Sequence, residues 1–371
     1  MKILISCGGS AGHIFPGLAL IEQLKKEKTQ HDIVIVVSDR SRDKQFLGTA
    51  HFPDIPVERI FASALPYRFS LKYFVFIFKL LAAFLQSCYI LCRHRPEVAV
   101  GFGGSASFAP LFCAKLFGIP TLIHEQNLRP GRANQILARV ADRVAISFND
   151  TEAFFQRPGL KSKLVRTGYP LRSHILNAGV EGKSPQQQFT VLIVGGSQGA
   201  QRINKLVLAS LARLDQKIKR QLRLVHLTGK KDLEPIRSAY ISQGLDFEVF
   251  DFLKDISPAY ARADLLISRS GAGTIFEAAR FGLPCLFIPH SGGTAHQLEN
   301  ARYLEDQGAA LVLDEQTTTA RDLAEMISGL IAQQSRRDRL SDSIQSYKDL
   351  QAGLKLIGRI NELFQKKYAQ R

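Results

Sequence analysis

Short apolar runs alternate with longer amphipathic segments along almost the whole of this 371-residue chain. In the first half the runs are KILIS (2–6), IVIVVS (33–38), VAVGF (98–102), PTLIHE (120–125) and RVAIS (143–147). This alternation predicts an α/β fold, a parallel sheet covered by helices. The polar, glycine-bearing stretch SHILNAGVEGKSPQQQ has no periodicity and reads as a linker over 173–188. The pattern then restarts. TVLIVGGSQGAQRINKLV (190–207) repeats the strand, glycine loop and helix of the N-terminus, and RLVHLTG (223–229), EVFDFL (248–253), DLLISRSG (264–271) and PCLFIP (284–289) supply further strands. Beyond about residue 318 only helical periodicity remains, and the chain closes on the basic amphipathic LKLIGRINELFQKKY. The expected organisation is a Rossmann-like domain over 1–172, the linker, a second such domain over 189–345, and a C-terminal helix over 346–371 packing back on the first. Ligand is then expected in a cleft between the carboxyl ends of two facing sheets.

One apolar run is too long for a strand. LPYRFSLKYFVFIFKLLAAFLQSCYILCRHR (65–95) holds, from Phe74 to Leu91, enough apolar residues for a minimal membrane span, interrupted by Lys79 and diluted by Gln86 and Ser87. Three readings stand: a span, a helix buried on a sheet, or a helix partly in the core with an exposed apolar patch ringed by Arg68, Lys72, Arg93 and Arg95. Charge adds weight to a surface role. The formal net charge is +16, and residues 1–172 carry 23 Lys and Arg against 12 Asp and Glu. Nucleic acid, an anionic membrane surface and a polyanionic substrate are the usual partners of such a surplus. No helix-turn-helix signature, zinc-finger spacing or RNP-like strand is present, so nucleic acid is not expected. Five irregularly spaced cysteines argue against a disulfide framework, and the opening apolar run is too short for a signal peptide, so the protein is expected inside the cell.

The chemistry concentrates at the glycine loops. CGGSAGHIFPG (7–17) follows the first strand, an arrangement that leaves backbone N–H groups at a helix start for an anion, with His13 beside it. Asp39 closes the second strand where a ribose-binding acid would sit, yet neither GGSAG nor GGSQGA matches G-x-G-x-x-G, and no Walker lysine follows. In SRSGAGTIFEAARFGLPCLFIP (268–289), Thr274 is expected to begin a helix with Glu277 in its first turn. Glu277 is then either a helix-start charge or a carboxylate accepting both hydroxyls of a ribose. Gln297 and Asn300, one turn apart in HQLENA, suit sugar hydroxyls. No Asp-x-Asp pair occurs, so no metal clasp for a nucleotide is expected. His13 is the best-placed general base, with a loop-capping role as the alternative; His124 is a second candidate that more readily shapes its turn.

Taken in order, CGGSAGHIFPGLAL, GFGGSAS (101–107), HEQN (124–127), GYPLR (168–172), GGSQGA, RSGAGTIFEA and HQLENA resemble the MurG-type GT-B glycosyltransferases of peptidoglycan synthesis. That resemblance implies an inverting transfer of N-acetylglucosamine from UDP-GlcNAc to the C4 hydroxyl of undecaprenyl-pyrophosphoryl-MurNAc-pentapeptide, lipid I to lipid II. It implies no cofactor, a peripheral place on the cytoplasmic face of the inner membrane, and possible partners among cell-envelope synthesis proteins. By the same resemblance Ser197 and Gln198 lie near the donor diphosphate, Phe252 and Leu253 meet the uracil, Glu277 binds ribose, and Gln297 holds GlcNAc with Asn300 supporting it. Ser10, Gly12, His13, Gly103, Gly104, Asn127 and Arg172 line the acceptor side. The chain departs from the family pattern at Ser10, Ala11, Ser105 and Tyr169, on the acceptor side and at the interdomain linker. A UDP-GlcNAc 2-epimerase or another lipid glycosyltransferase of the same architecture is the alternative; a non-enzymatic nucleotide-sugar-binding protein is the third.

Overall fold

The computed structural model describes residues 1–40, 43, 46–48, 52–62, 72–179, 188–195, 200–290 and 296–368. The chain divides into two compact units, Met1–Ser173 with Asp349–Arg371, and His174–Lys348.

The first unit is built from β1 (Lys2–Ser6), α1 (Ala11–Leu24), β2 (Asp32–Ser38), β3 (Val57–Ile60), α2 (Lys72–His94), β4 (Val98–Gly101), α3 (Gly104–Leu116), β5 (Thr121–Glu125), α4 (Arg132–Val140), β6 (Arg143–Ile146) and β7 (Leu164–Arg166). All strand pairs are parallel, in the order β3-β2-β1-β4-β5-β6-β7. Helices cover both faces, which is why Ile3, Leu4 and Ile5 of the central strand are all fully buried. Ile3 pairs with Ile33 on one side and Val98 on the other. The chain order reverses between β1 and β4, so the crevice at their carboxyl ends is where this topology takes a ligand.

The second unit contains α5 (Ser173–Asn177, whose first residue still belongs to the first unit), β8 (Phe189–Val194), α6 (Gln201–Ala212), α7 (Gln216–Gln221), β9 (Leu222–Leu227), α8 (Leu233–Ser242), β10 (Asp246–Phe250) and α9 (Ser257–Arg262). It continues with β11 (Leu265–Ser268), α10 (Ala272–Phe281), β12 (Cys285–Phe287), α11 (His296–Asp306), β13 (Leu311–Val312), α12 (Ala320–Ala332) and α13 (Gln334–Gln345). Its parallel order β10-β9-β8-β11-β12-β13 repeats the first unit's reversal, now between β8 and β11. The last helix, α14 (Ala352–Tyr368), returns to the first unit, where Leu356, Ile357, Ile360 and Leu363 join the core formed by Ile3, Leu18 and Ile21.

Several expectations shift. β3, β7 and β13 escape the hydrophobic pattern because they are short edge strands; VERI alone carries two charges. β10 ends at Phe250, so Asp251–Leu253 form a loop rather than strand. The stretch expected as an aperiodic linker opens with the helical turn α5, and its residues 180–187 lie outside the described ones.

The long apolar run is α2, and it is not simply a core helix. Ala83, Ser87, Ile90 and Leu91 are buried, and Phe84 packs edge-on against Phe108 and Phe112 of α3 at 6.2 and 5.8 Å. On the opposite face Phe74, Phe78, Leu81, Leu85 and Tyr89 are all more than half exposed. This spacing of three to four residues is one helical stripe. By length and composition Phe74–His94 could cross a membrane, with only 22% of its apolar window buried. The crossover argues otherwise: α2 joins β3 to β4 of one sheet, and a span would put those two strands on opposite sides of a bilayer. Of the proposed basic rim, Arg68 lies outside the described residues, Arg93 reaches Glu58 at 3.8 Å, and Arg95 follows the helix with φ 47°.

Candidate active site

In the first unit the switch point is formed by the loops after β1 and β4, each opening a helix. Gly103 and Gly104, at the start of α3, have φ 81° and 71°, a region that disfavours side chains. A Cβ on Gly104 would stand 2.8 Å from the Gly8 carbonyl oxygen and 2.9 Å from His13 Cδ2. The two loops therefore touch, and the starts of α1 and α3 both flank His13. Two helix N-termini side by side favour negative charge. One expected donor is turned inward, however. Gly9 N–H donates to both oxygens of buried Asp43 at 3.1 and 2.9 Å, and that carboxylate also accepts from the Ser38 backbone and hydroxyl. Asp43 thus shapes the glycine loop from beneath.

His13 is half-buried, with Nδ1 3.1 Å from Gln126 Oε1. Gln126 and His124 are almost wholly buried, and His124 Nε2 donates to the Gly168 carbonyl at 2.9 Å. Burial drives the His124 pKa down to about 4, an effect that the Gly168 bond opposes and the nearby His13 reinforces. His124 is therefore a neutral structural group near pH 7. Next to it, the buried Glu125 accepts from Asn127 N–H, Gly131 N–H and Asn134 Nδ2 at 3.0, 3.0 and 2.8 Å. That cluster sets the turn carrying Asn127. Ser10 and Gly12 are exposed at the start of α1, and the Arg172 guanidinium lies over the Phe15 ring at 4.2 Å. Tyr169 is buried edge-on against His124, ring centres 6.4 Å apart, so the phenol at this position is a packing group.

In the second unit, Gly271 caps α10, which begins at Ala272. Glu277 therefore lies in the second turn, beyond the reach of the dipole effect on first-turn charges. Its Oε2 accepts from the Tyr260 hydroxyl at 3.1 Å, and Tyr260 is itself buried. The loop after β11 is tied to α11: Ser270 Oγ donates to the Gln297 carbonyl at 2.7 Å, and Asn300 Nδ2 to the Ser270 carbonyl at 3.2 Å. Asn300 is fully buried and supports the loop. Gln297 Oε1 accepts from His290 N–H at 3.1 Å. Phe252 N–H donates to Asp251 Oδ1 at 2.7 Å. Ser197 and Gln198 fall outside the described residues.

Two family models match this chain in order: the glycosyltransferase family 28 N-terminal domain over residues 3–146 and the family 28 C-terminal domain over 190–354. A relative from Myxococcus xanthus, named UDP-N-acetylglucosamine--N-acetylmuramyl-(pentapeptide) pyrophosphoryl-undecaprenol N-acetylglucosamine transferase, is 38% identical over 331 residues, covering 89% of this chain and 84% of its own. The chain belongs to glycosyltransferase family 28. Its fold is that of a crystal structure of Acinetobacter baumannii MurG, with a TM-score of 0.76, 26% identity, and 98% and 100% of the two chains covered. A putative UDP-N-acetylglucosamine 2-epimerase from Listeria monocytogenes shares the fold at a TM-score of 0.69 but only 13% identity, with 98% and 97% covered. Both sheets thus belong to the GT-B-like arrangement.

Within this family 28 chain, the sequence reading missed three groups. Asp43 lies five residues past β2 in no recognisable motif. Tyr260 reads as an ordinary apolar helix residue. At the carboxyl ends of β11, β12 and β13, Arg269 and His290 both bind buried Glu315, the histidine through Nδ1 at 3.2 Å, and Arg269 also donates to the Ile288 carbonyl at 2.8 Å. Those residues are far apart in sequence, and only the strand order unites them. Among the described residues no group of three His, Cys, Asp or Glu is placed to hold a metal ion.

Proposed function

We propose that this family 28 chain transfers N-acetylglucosamine from UDP-GlcNAc to the C4 hydroxyl of undecaprenyl-pyrophosphoryl-MurNAc-pentapeptide, converting lipid I to lipid II with inversion. The observation that carries the reading is His13, set at a topological switch point between two glycine-led helix starts. In the step, the acceptor O4 forms a bond to C1 of GlcNAc while the bond from C1 to the β-phosphate oxygen breaks. The O4 proton passes to His13 Nε2, and UDP leaves with the bonding pair. Helix starts supply preorganised N–H groups where diphosphate charge resides. Ser10, Gly12, Gly103, Gly104, Asn127 and Arg172 are assigned to the acceptor. Glu277, oriented by Tyr260, reads the donor ribose, and Gln297 reads the sugar, with Asn300 behind it; Ser197, Gln198, Phe252 and Leu253 complete the donor assignments.

We assign the exposed stripe of α2 to an anionic membrane surface, and with it a peripheral position on the cytoplasmic face of the inner membrane, where the lipid substrate resides. Each large apolar side chain moved fully from water to lipid contributes about 1.5–3 kcal/mol, so five of them suffice for reversible binding. Cell-envelope synthesis proteins are the expected neighbours there. Turnover of UDP-GlcNAc with and without a soluble lipid I analogue separates this transfer from epimerisation, which needs no lipid.

A further inference from the structure

The buried HEQN turn controls more than the path of its loop. We propose that Gln126 is a positioning residue that holds His13 as the Nδ1–H tautomer and so leaves Nε2 as the proton acceptor; this rests on the reading of His13 as the general base. Two groups here have roles that admit no choice. The Gly168 carbonyl can only accept, so His124 Nε2, 2.9 Å away, carries hydrogen. His124 is neutral because it is buried, and its Nδ1 is therefore an acceptor. Gln126 Nε2 donates to that nitrogen at 3.0 Å.

A second pair of contacts fixes the same amide independently. Gln126 Nε2 lies 3.0 Å from the Phe102 carbonyl and 3.1 Å from the His124 carbonyl. Turning the amide over would set its oxygen against two other oxygens in a buried site, which is costly. Gln126 Oε1 therefore faces His13, and as an acceptor it requires a proton on His13 Nδ1, 3.1 Å away. Neutral histidine in water favours hydrogen on Nε2, so the fold imposes the less favoured form. Among the described residues, the nearby charged and aromatic groups each have a partner of their own. Asp43 holds Gly9 and Ser38, Glu125 holds the turn through Asn127, Gly131 and Asn134, and the Tyr169 ring lies against His124. When Nε2 takes a proton, no amide or ring has to turn, because the Nδ1–H bond to Gln126 is kept throughout.

The test uses the full chain labelled with 15N-histidine, with two-bond 1H–15N spectra recorded at neutral pH and the His13 signals identified by their loss in His13→Asn. Expected are a protonated Nδ1 and an unprotonated Nε2 on His13, and the reverse protonation on His124. Gln126→Met keeps the volume and removes both amide groups. It should move His13 toward the Nε2–H form and lower kcat at least tenfold, with the KM for UDP-GlcNAc within about twofold of the parent. An Nε2–H tautomer in the parent overturns the inference, as does a parent-like kcat in Gln126→Met. If Gln126→Met fails to fold, the parent spectrum alone decides. The base reading fails separately if His13→Ala keeps turnover, whatever tautomer the parent shows.

Discussion

Glu277 lies in the second turn of α10 with the buried Tyr260 hydroxyl on one oxygen, a position that gains nothing from the helix start. A hydrogen bond to a charged group contributes about 1.5–3 kcal/mol, so Glu277→Ala should weaken UDP-GlcNAc roughly ten- to a hundredfold. The loss should overlap with that caused by removing the ribose 2′-hydroxyl, since both delete one interaction. Kd values for UDP-GlcNAc and its 2′-deoxy analogue on both proteins test this, and additive losses would contradict it. His13→Ala should keep donor affinity and lose turnover by about a hundredfold, the usual scale for a general base, read as kcat against Kd. The motif HEQN displayed the residue types here but not their directions. Which nitrogen faces which oxygen depends on Phe102 and Gly168, residues distant in sequence that only the β4–β5 and β6–β7 connections bring together.

At the scale of elements, the glycine loops after β1 and β4 were legible because Gly9, Gly103 and Gly104 hold a positive φ that disfavours side chains. Gly104→Ala should show this. It adds a Cβ at φ 71° that meets the Gly8 carbonyl, and the expected result is a lowered melting temperature together with lost turnover. An active, parent-like protein would contradict the contact between loops. α2 was ambiguous for a physical reason: mean hydropathy cannot distinguish a helix that is apolar all round and buried from one that buries a single face. Replacing Phe78, Leu81 and Leu85 by serine removes exposed apolar surface without touching the core. The variant should stay folded and remain in the supernatant when sedimented with anionic vesicles at low salt, whereas the parent pellets. Equal sedimentation of the two would contradict a membrane role for the stripe.

Across the whole molecule, the two restarting α/β patterns were readable, while the strand order and the edge strands β3, β7 and β13 were not, since β7 and β13 have only three and two residues. Two wholly buried histidines link this fold to pH. Burial lowers the pKa of His124 to about 4 and of His226 to about 3, from an ordinary value near 6.5. Below that ordinary value the unfolded chain binds protons that the folded one does not, so stability is full above about pH 6.5 and declines as pH falls toward 3. His226 Nε2 donates to Asn204 and its Nδ1 accepts from Tyr240, so His226→Gln should flatten this acid limb in denaturant titrations.

The central claim is a transfer between two named substrates, and one measurement tests it most directly: UDP release from UDP-GlcNAc with and without a soluble lipid I analogue, with the lipid product weighed by mass spectrometry. The account predicts UDP only when both substrates are present, and a product heavier by one N-acetylglucosamine residue. Turnover of UDP-GlcNAc without the lipid, or no sugar added to it, would contradict the account.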